Sequence, residues 1–157
     1  AEITLERLEH VTRALATSRL RHRVFSAFIG ETTREDFVPY TADFFLQVED
    51  VKWTVVAGIV GESLVVSVRN LGYSKNAGEF VRRFFADIGS AGGHRAMAKA
   101  VVPMRAFREK FGDLDGEQIP TRLRELMQDF LTHQEVRNQK LEGRTSEKTE
   151  TDAVKTR

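Results

Sequence analysis

The chain has 157 residues, of which 41% are hydrophobic and 11 are phenylalanine, so it can bury one sizeable core. Its 24 lysines and arginines balance 23 acidic residues, which excludes attraction of nucleic acid by bulk charge and leaves only local basic clusters for that role. It has no cysteine and no stretch typical of a secretion signal or a membrane span, so we expect a cytoplasmic protein without disulfides, thiolate metal sites or a membrane partner.

The first predicted element is an amphipathic helix that begins after Thr4, a residue suited to the N-cap, and runs to about residue 19. Its apolar residues recur at helical spacing: Leu5, Leu8, Val11, Ala14 and Leu15. We interpret residues 1–21 as a connector helix from a domain that would precede them. The basic residues Arg19, Arg21, His22 and Arg23 fit a solvated helix end, which we favour, or a surface that faces an RNA backbone.

A strand is predicted over 24–29, and a helix from Phe37 or Pro39 to about Val48. Asp43 in that helix is expected on the surface, with an approach to a substrate site as the alternative. Residues 53–60 and 63–69 are rich in β-branched residues and are joined by Gly61-Glu62, which is typical of a tight hairpin.

The spacing of apolar residues predicts a helix over 77–85 and another that begins at Pro120. A last strand is expected over 99–102, ended by Pro103. The apolar pattern stops near residue 137, so residues 137–157 are predicted to form a disordered polar tail. The pattern as a whole predicts a single α/β or α+β domain with a mixed sheet of four to five strands flanked by helices.

The glycine-rich stretch 90–98 is the first candidate for a binding site. Gly92 and Gly93 allow the backbone to approach a ligand, and His94 and Arg95 follow them directly. Residues 96–98 favour a helix, whose positive N-terminus would point at an anion. Gly-Gly also marks ordinary tight turns, so this motif needs support from elsewhere in the chain.

That support comes from Ser67 and Arg69 on the strand upstream. Side chains alternate along a strand, so these two share one face and could hold a phosphate or a carboxylate together. The alternative is a solvated outer face. Arginine suits phosphate because its planar fork donates parallel hydrogen bonds to two oxygens.

The order and spacing of four segments resemble the associated domain of DHH-family phosphoesterases over roughly residues 22–104. The segments are Ala42-Asp43-Phe44-Phe45-Leu46, the strand 53–60, Ser67-x-Arg69 with Gly78-Glu79-Phe80, and Gly89-Ser90-Ala91-Gly92-Gly93-His94-Arg95-x-Met97-Ala98. That family includes oligoribonucleases, single-strand exonucleases, cyclic-dinucleotide phosphodiesterases, pyrophosphatases and exopolyphosphatase-like proteins. The resemblance implies that residues 22–136 form a domain that binds the phosphates of a short RNA or DNA oligonucleotide or of a nucleotide.

The resemblance assigns substrate binding to six residues, namely Ser67, Arg69, Gly92, Gly93, His94 and Arg95. Lys99 departs from the family pattern, which usually has glycine there. We favour a solvated Lys99 at a strand start, with an added charge at the phosphate site as the alternative. Tyr73 is the best candidate for stacking on a base, although a loop tyrosine is more commonly structural.

In the family, a separate N-terminal DHH domain holds two manganese ions and performs hydrolysis. No Asp-His-His motif occurs in this chain and its four histidines are scattered, so no catalytic residue, metal ligand or cofactor is expected in it. Residues 113–116 do not meet the calcium-loop pattern. The chain is therefore expected to bind substrate for a catalytic domain that it lacks, and whether it acts as an enzyme is left open.

Two other functions stay open. One is a stand-alone module that binds nucleic acid or nucleotides, since the associated domain also occurs in alanyl-tRNA synthetases. The other is a structural domain that forms a homodimer, in which the glycine motif is only a turn. Phosphate contacts do not identify a base, so the sequence does not choose among oligonucleotides, cyclic dinucleotides, pyrophosphate and polyphosphate.

Overall fold

A computed structural model describes residues 3–155 of the chain. Its contacts divide the chain into two units, Ala1–Met127 and Gln128–Arg157. The first unit contains a six-stranded sheet, four helices and the start of a fifth, and the described residues of the second unit form the remainder of that helix.

The helices are α1 (Leu5–Thr17), α2 (Phe37–Leu46), α3 (Ala77–Phe85), α4 (Met104–Phe111) and α5 (Gln118–Lys155). The strands are β1 (Arg19–Arg21), β2 (Val24–Glu31), β3 (Trp53–Val60), β4 (Ser63–Asn70), β5 (Ser90–Gly93) and β6 (Met97–Pro103). They lie in the order β1-β2-β3-β4-β6-β5. All neighbours are antiparallel except β2 and β3, so the sheet is mixed.

The predicted fold class, a mixed sheet flanked by helices, is confirmed. The sheet has six strands where four or five were expected, because Arg19–Arg21 and Ser90–Gly93 add a short strand at either edge. The predicted hairpin of β3 and β4 is present in full register from Trp53 opposite Asn70 to Val60 opposite Ser63.

Helix α2 connects the parallel strands β2 and β3 and packs on one face of the sheet, together with α1. Phe25 of β2 stacks on Phe45 of α2, with 4.2 Å between the ring centroids. The buried Thr54 hydroxyl donates a hydrogen bond of 3.0 Å to the carbonyl of Ala42. These contacts fix α2 across β3 and β4, and β4 is the strand that carries Ser67 and Arg69.

Helix α3 packs against β5 and β6. Its predicted core stripe is buried at Ala77, Phe80, Val81 and Phe85. The Asn76 side chain caps the helix by accepting from the Glu79 N–H at 3.1 Å. A Cβ on Gly78 would lie only 2.5 Å from the Gly93 carbonyl oxygen, so glycine is required for this approach of helix to strand.

Helix α1 begins as predicted, with Thr4 Oγ1 accepting from the Arg7 N–H at 3.2 Å. Of the predicted apolar positions, Val11 and Ala14 are buried, whereas Leu5, Leu8 and Leu15 are exposed. The helix thus buries only part of its stripe against the described residues.

Two local predictions were wrong, and one helix was missed. The stretch 96–98 does not begin a helix, because Met97–Pro103 pairs with both β4 and β5 as strand β6. The basic cluster after α1 does not end a helix, because Arg19–Arg21 pairs with β2 and His22 and Arg23 form the turn, with φ of 51° and 67°. Helix α4 was not anticipated at all.

Helix α5 begins two residues before Pro120 and includes residues 137–155, the segment predicted to be disordered in solution. That disorder stays a prediction, and residues 156 and 157 lie outside the described residues, as do residues 1 and 2 of the expected connector helix. Within 3–155, no helix is both long and apolar enough to span a bilayer.

Candidate ligand cleft

A cleft of about 670 Å³ lies beside α2 on the face of the sheet that carries Ser67 and Arg69. Strands β4, β5 and β6 contribute most of its wall, and the start of α2 with the residues before it contributes the rest. The lining residues are Glu35, Asp36, Pro39, Ser67, Arg69, Gly92, Gly93, His94, Met97, Ala98 and Lys99. Five of the six residues assigned by the resemblance therefore meet at one cleft.

Strand register explains why these distant residues meet. Ser67 of β4 pairs with Lys99 of β6, and Lys99 pairs with Gly92 of β5. Paired residues in neighbouring strands share a face, so the three form one row across the sheet. Arg69 pairs with Met97 in the next row on the same face.

Arg69 is held in place by two hydrogen bonds. Its Nε donates to Asp43 Oδ1 at 2.7 Å, and its Nη1 donates to the Val68 carbonyl at 3.1 Å. The side chain is only 12% exposed, while Asp43 is 56% exposed. Nη2 has no partner among the described residues and remains available as a cationic donor.

Asp43 lies on the surface of α2, as predicted, and also reaches the site by binding Arg69. Its carboxylate neutralises part of the arginine charge and fixes the direction of the guanidinium plane. Asp43 is therefore a positioning residue for Arg69.

The Ser67 hydroxyl lies at the cleft without a hydrogen-bond partner among the described residues. The residue is only 2% exposed. Its Oγ is not fully enclosed by protein, so the hydroxyl is open to the cleft and is suited to bond a ligand oxygen or an ordered water.

The two glycines have different structural roles. Gly93 has φ of 151°, and a Cβ there would lie 2.4 Å from Ala98 Cα, so the fold itself requires glycine. A Cβ on Gly92 would meet no atom within 4 Å. Since Gly92 lines the cleft, its missing side chain leaves open space for a ligand rather than for protein.

His94 lines the cleft, and one of its ring nitrogens is bonded to the main chain. Its Nδ1 accepts from the Ala96 N–H at 3.2 Å, so in the neutral ring the proton is on Nε2. The main chain is fixed as well, since the His94 N–H donates to Met97 and its carbonyl accepts from Gly78. With Nδ1 accepting this bond, Nε2 carries the ring hydrogen and can donate to a ligand.

Lys99 lines the cleft, and its Nζ forms a salt bridge with Glu35. Its side chain is 53% exposed, so the predicted contact with solvent is present. Its position beside Ser67 and Gly92 also places the extra charge at the cleft, which was the alternative interpretation.

Arg95 is absent from the cleft lining. Its guanidinium lies 4.8 Å from the ring centroid of Tyr73, and its carbonyl accepts from Asn70 Nδ2 and from the Ala77 N–H. The structure therefore groups Arg95 with Tyr73 on the loops next to the cleft.

Sequence reasoning missed Glu35, Asp36, Pro39 and Met97 as cleft residues. The first two are in a polar loop with no motif, and Pro39 was considered only as a helix start. Met97 could have been found from the strand period, because it shares the parity of Lys99.

This cleft can bind an anion that also has apolar parts. Arg69, Lys99 and His94 supply donors, Ser67 adds a hydroxyl, and Pro39, Met97 and Ala98 add apolar surface. The described residues contain no group of three or more histidine, aspartate or glutamate side chains able to hold a metal ion.

No protein-family model matches the chain. An uncharacterized protein of Methanocaldococcus jannaschii is 32% identical over 108 residues, which is 68% of this chain and 22% of that protein. The chain thus spans about a fifth of the length of the curated relative that it matches.

Among solved structures, the chain shares its fold with an exopolyphosphatase-related protein from Bacteroides fragilis. The TM-score is 0.56 at 13% identity, over 81% of this chain and 36% of that one. A weaker neighbour is the C-Ala domain of Aquifex aeolicus alanyl-tRNA synthetase, with a TM-score of 0.45 at 14% identity over 61% of this chain and 98% of that one. Another is a pGpG-specific phosphodiesterase from Vibrio cholerae, with a TM-score of 0.44 at 9% identity over 76% of this chain and 39% of that one.

Proposed function

We propose that the cleft binds the phosphates of a short oligonucleotide or a nucleotide, and that the chain is the substrate-binding domain of a DHH-type phosphoesterase. One observation carries the proposal: Ser67, Arg69, Gly92, Gly93 and His94, separated by up to 27 positions in the sequence, all line one cleft.

Each of these residues has a role in phosphate binding. Arg69 Nη2 and Lys99 Nζ supply positive charge, and His94 Nε2 and Ser67 Oγ supply further hydrogen bonds. Gly92 leaves room for the ligand to approach β5, which is an edge strand of the sheet formed by the described residues. Pro39 and Met97 form apolar surface beside these donors, where a sugar or base would fit.

Hydrolysis would be performed by a separate DHH domain, which would hold two manganese ions. The described residues of this chain would bind and orient the phosphates for that domain. The exopolyphosphatase-related neighbour supports a phosphoester or phosphoanhydride ligand at the level of fold.

The test is a titration of the chain with a fluorescently labelled five-nucleotide RNA at low and moderate salt, beside Arg69→Ala. We expect saturable binding that weakens with salt and falls about tenfold or more in the variant, as for loss of a charge-assisted hydrogen bond. Unchanged binding in Arg69→Ala would contradict the proposed site. A further titration with cyclic dinucleotide, pyrophosphate and polyphosphate then identifies the preferred phosphate ligand.

A further inference from the structure

We infer that a second surface, next to the cleft, binds the backbone and bases of a single-stranded nucleic acid that extends beyond the cleft. It consists of Arg21, His22, Arg23, Lys52, Tyr73 and Arg95, and we call it the strand-end edge. The inference rests on the proposed function, because it concerns the part of the same ligand that the cleft does not hold.

Backbone pairing brings these residues to one end of the sheet. Lys52 precedes β3, and its N–H donates to the Arg23 carbonyl at 2.9 Å. The Leu71 N–H donates to the Lys52 carbonyl at 3.0 Å, which continues the series to the loop after β4.

The same loop reaches the glycine motif. Asn70 bonds the Ala96 carbonyl through its N–H at 2.9 Å and the Arg95 carbonyl through Nδ2 at 3.2 Å. The edge therefore crosses from β2 to β6, three strand spacings or about 15 Å. At its β6 end it meets His94, which lines the cleft.

The cations of the strand-end edge are not neutralised. Arg21, Arg23, Lys52 and Arg95 form no salt bridge with any residue whose side chain the structure describes. Other cations do form such pairs: Arg34, Arg69, Lys99, Arg105, Arg108, Lys110 and Arg122. The acidic residues in the connections at this edge are Glu49 and Asp50, both in the loop before Lys52.

Tyr73 adds a feature that a simple anion surface does not need. The residue is 83% exposed, and one side of its ring faces the Arg95 guanidinium at 4.8 Å. An exposed ring backed by arginine is a stacking platform for an unpaired base. The combination of unpaired cations and this ring favours a single strand over a duplex, whose bases are already stacked.

The β1–β2 turn is also unusual. His22 and Arg23 both have positive φ, a conformation that normally favours glycine or asparagine in such turns. The turn thus presents two ring or guanidinium side chains where smaller residues would be less strained.

The experiment measures the affinity of labelled two- and ten-nucleotide RNAs from 50 to 200 mM salt. We expect the ten-nucleotide RNA to bind more tightly and with the steeper salt dependence. Arg21→Gln/Arg23→Gln should lower the slope of log K against log salt for the longer RNA by about 1.4, or about 0.7 per lost phosphate contact, and leave the shorter RNA unaffected.

Arg105→Gln/Arg108→Gln is the matched control, because it removes the same charge from α4 at the other end of the sheet. It should leave both affinities unchanged. Tyr73→Ala should reduce the affinity for the longer RNA about fivefold or more, and Tyr73→Phe should retain the original affinity because it keeps the ring.

The inference is overturned if the two RNAs bind with equal affinity, or if the control variant changes affinity as much as Arg21→Gln/Arg23→Gln does. It is also overturned if a ten-base-pair duplex binds as tightly as the ten-nucleotide single strand. If Arg21→Gln/Arg23→Gln weakens binding of the longer RNA but Arg69→Ala weakens binding of neither RNA, the inference about the strand-end edge is supported. The proposed function of the cleft then fails. If neither RNA binds, the inference fails, and the cleft function is then decided by the other phosphate ligands.

Discussion

Arg69 and Asp43 belong to different layers of the fold, and a hydrogen bond of 2.7 Å joins them at the edge of the cleft. Since Asp43 binds Nε and Val68 binds Nη1, the guanidinium has one orientation, with Nη2 left for a ligand. The helix that crosses from β2 to β3 thereby orients a side chain of the sheet.

Substitution of Asp43 separates orientation from charge. Asp43→Asn keeps an oxygen that can accept from Nε and removes the negative charge, so affinity for a five-nucleotide RNA should equal or exceed that of the original chain. Asp43→Ala removes the acceptor, and affinity should fall about two- to fivefold. Both variants should stay within about 1 kcal/mol of the original stability because Asp43 is largely exposed. The same loss of affinity in both variants would show that orientation by Oδ1 is unimportant.

Substitution by alanine should have different effects at the adjacent glycines Gly92 and Gly93. Gly93→Ala places a Cβ against Ala98 at a φ of 151°, so it should reduce the free energy of unfolding by about 1–3 kcal/mol or more in urea denaturation. Gly92→Ala meets no protein atom and should leave stability within about 0.5 kcal/mol while weakening ligand binding. Undiminished binding in a folded Gly92→Ala chain would mean that the ligand does not approach this residue.

Glu35 should restrain Lys99. Glu35→Gln removes the carboxylate that pairs with Nζ, so we expect phosphate ligands to bind about two- to fivefold more tightly, with the gain reduced at high salt. Lys99→Ala supplies the control, because in that background Glu35→Gln should give a much smaller gain. Titrations of all four chains form a double-mutant cycle, and additive effects would contradict a direct interaction.

The Lys110 ammonium should make stability depend on pH through Asp87. Nζ donates to both carboxylate oxygens of Asp87, at 2.8 and 3.0 Å, and this holds the pKa of Asp87 below its ordinary value of 3.8. A carboxyl group with a lowered folded-state pKa contributes stability above its unfolded-state pKa and loses it as pH falls through the folded value. Urea denaturation should therefore find Asp87→Asn less stable than the original chain at pH 7, with a smaller difference at about pH 3, below the ordinary carboxyl pKa. A difference of equal size at both values would assign the effect to something other than this ionisation.

Lys110 also donates to the Phe84 carbonyl at 2.6 Å, and this bond survives protonation of Asp87. Lys110→Met removes both interactions and serves as the comparison. Lys110→Met should be less stable than Asp87→Asn at pH 7. It should also remain less stable than the original chain at low pH, where the bond to Phe84 is still lost.

Much of the fold follows from local patterns. The period of the phenylalanine residues identifies α3, and Gly61-Glu62 between two β-branched runs identifies the β3–β4 hairpin. Edge strands were harder because Arg19–Arg21 is fully exposed and Ser90–Gly93 is half glycine, so neither has the alternating burial that marks a strand. Residues 96–98 have helical propensity, but pairing with β4 and β5 overrides it.

The cleft was predictable only in part. Ser67 and Arg69 share a face by strand parity alone, and the glycine motif carries the resemblance that adds His94. Glu35 and Asp36 reach the same cleft through the crossover of α2, which is a tertiary arrangement that no local pattern contains. The placement of Arg95 beside Tyr73 likewise depends on the packing of two loops.

The cleft draws on three separate stretches, residues 35–39, 67–69 and 92–99, so it exists only when the chain is native. Any compound that occupies it must raise the melting temperature by mass action, with a free-energy gain of about 2.7 kcal/mol at a hundred times Kd. Thermal shift can therefore rank nucleotides, cyclic dinucleotides and polyphosphates against one another by their binding alone. The Arg69→Ala chain then identifies which of those shifts originate in the cleft.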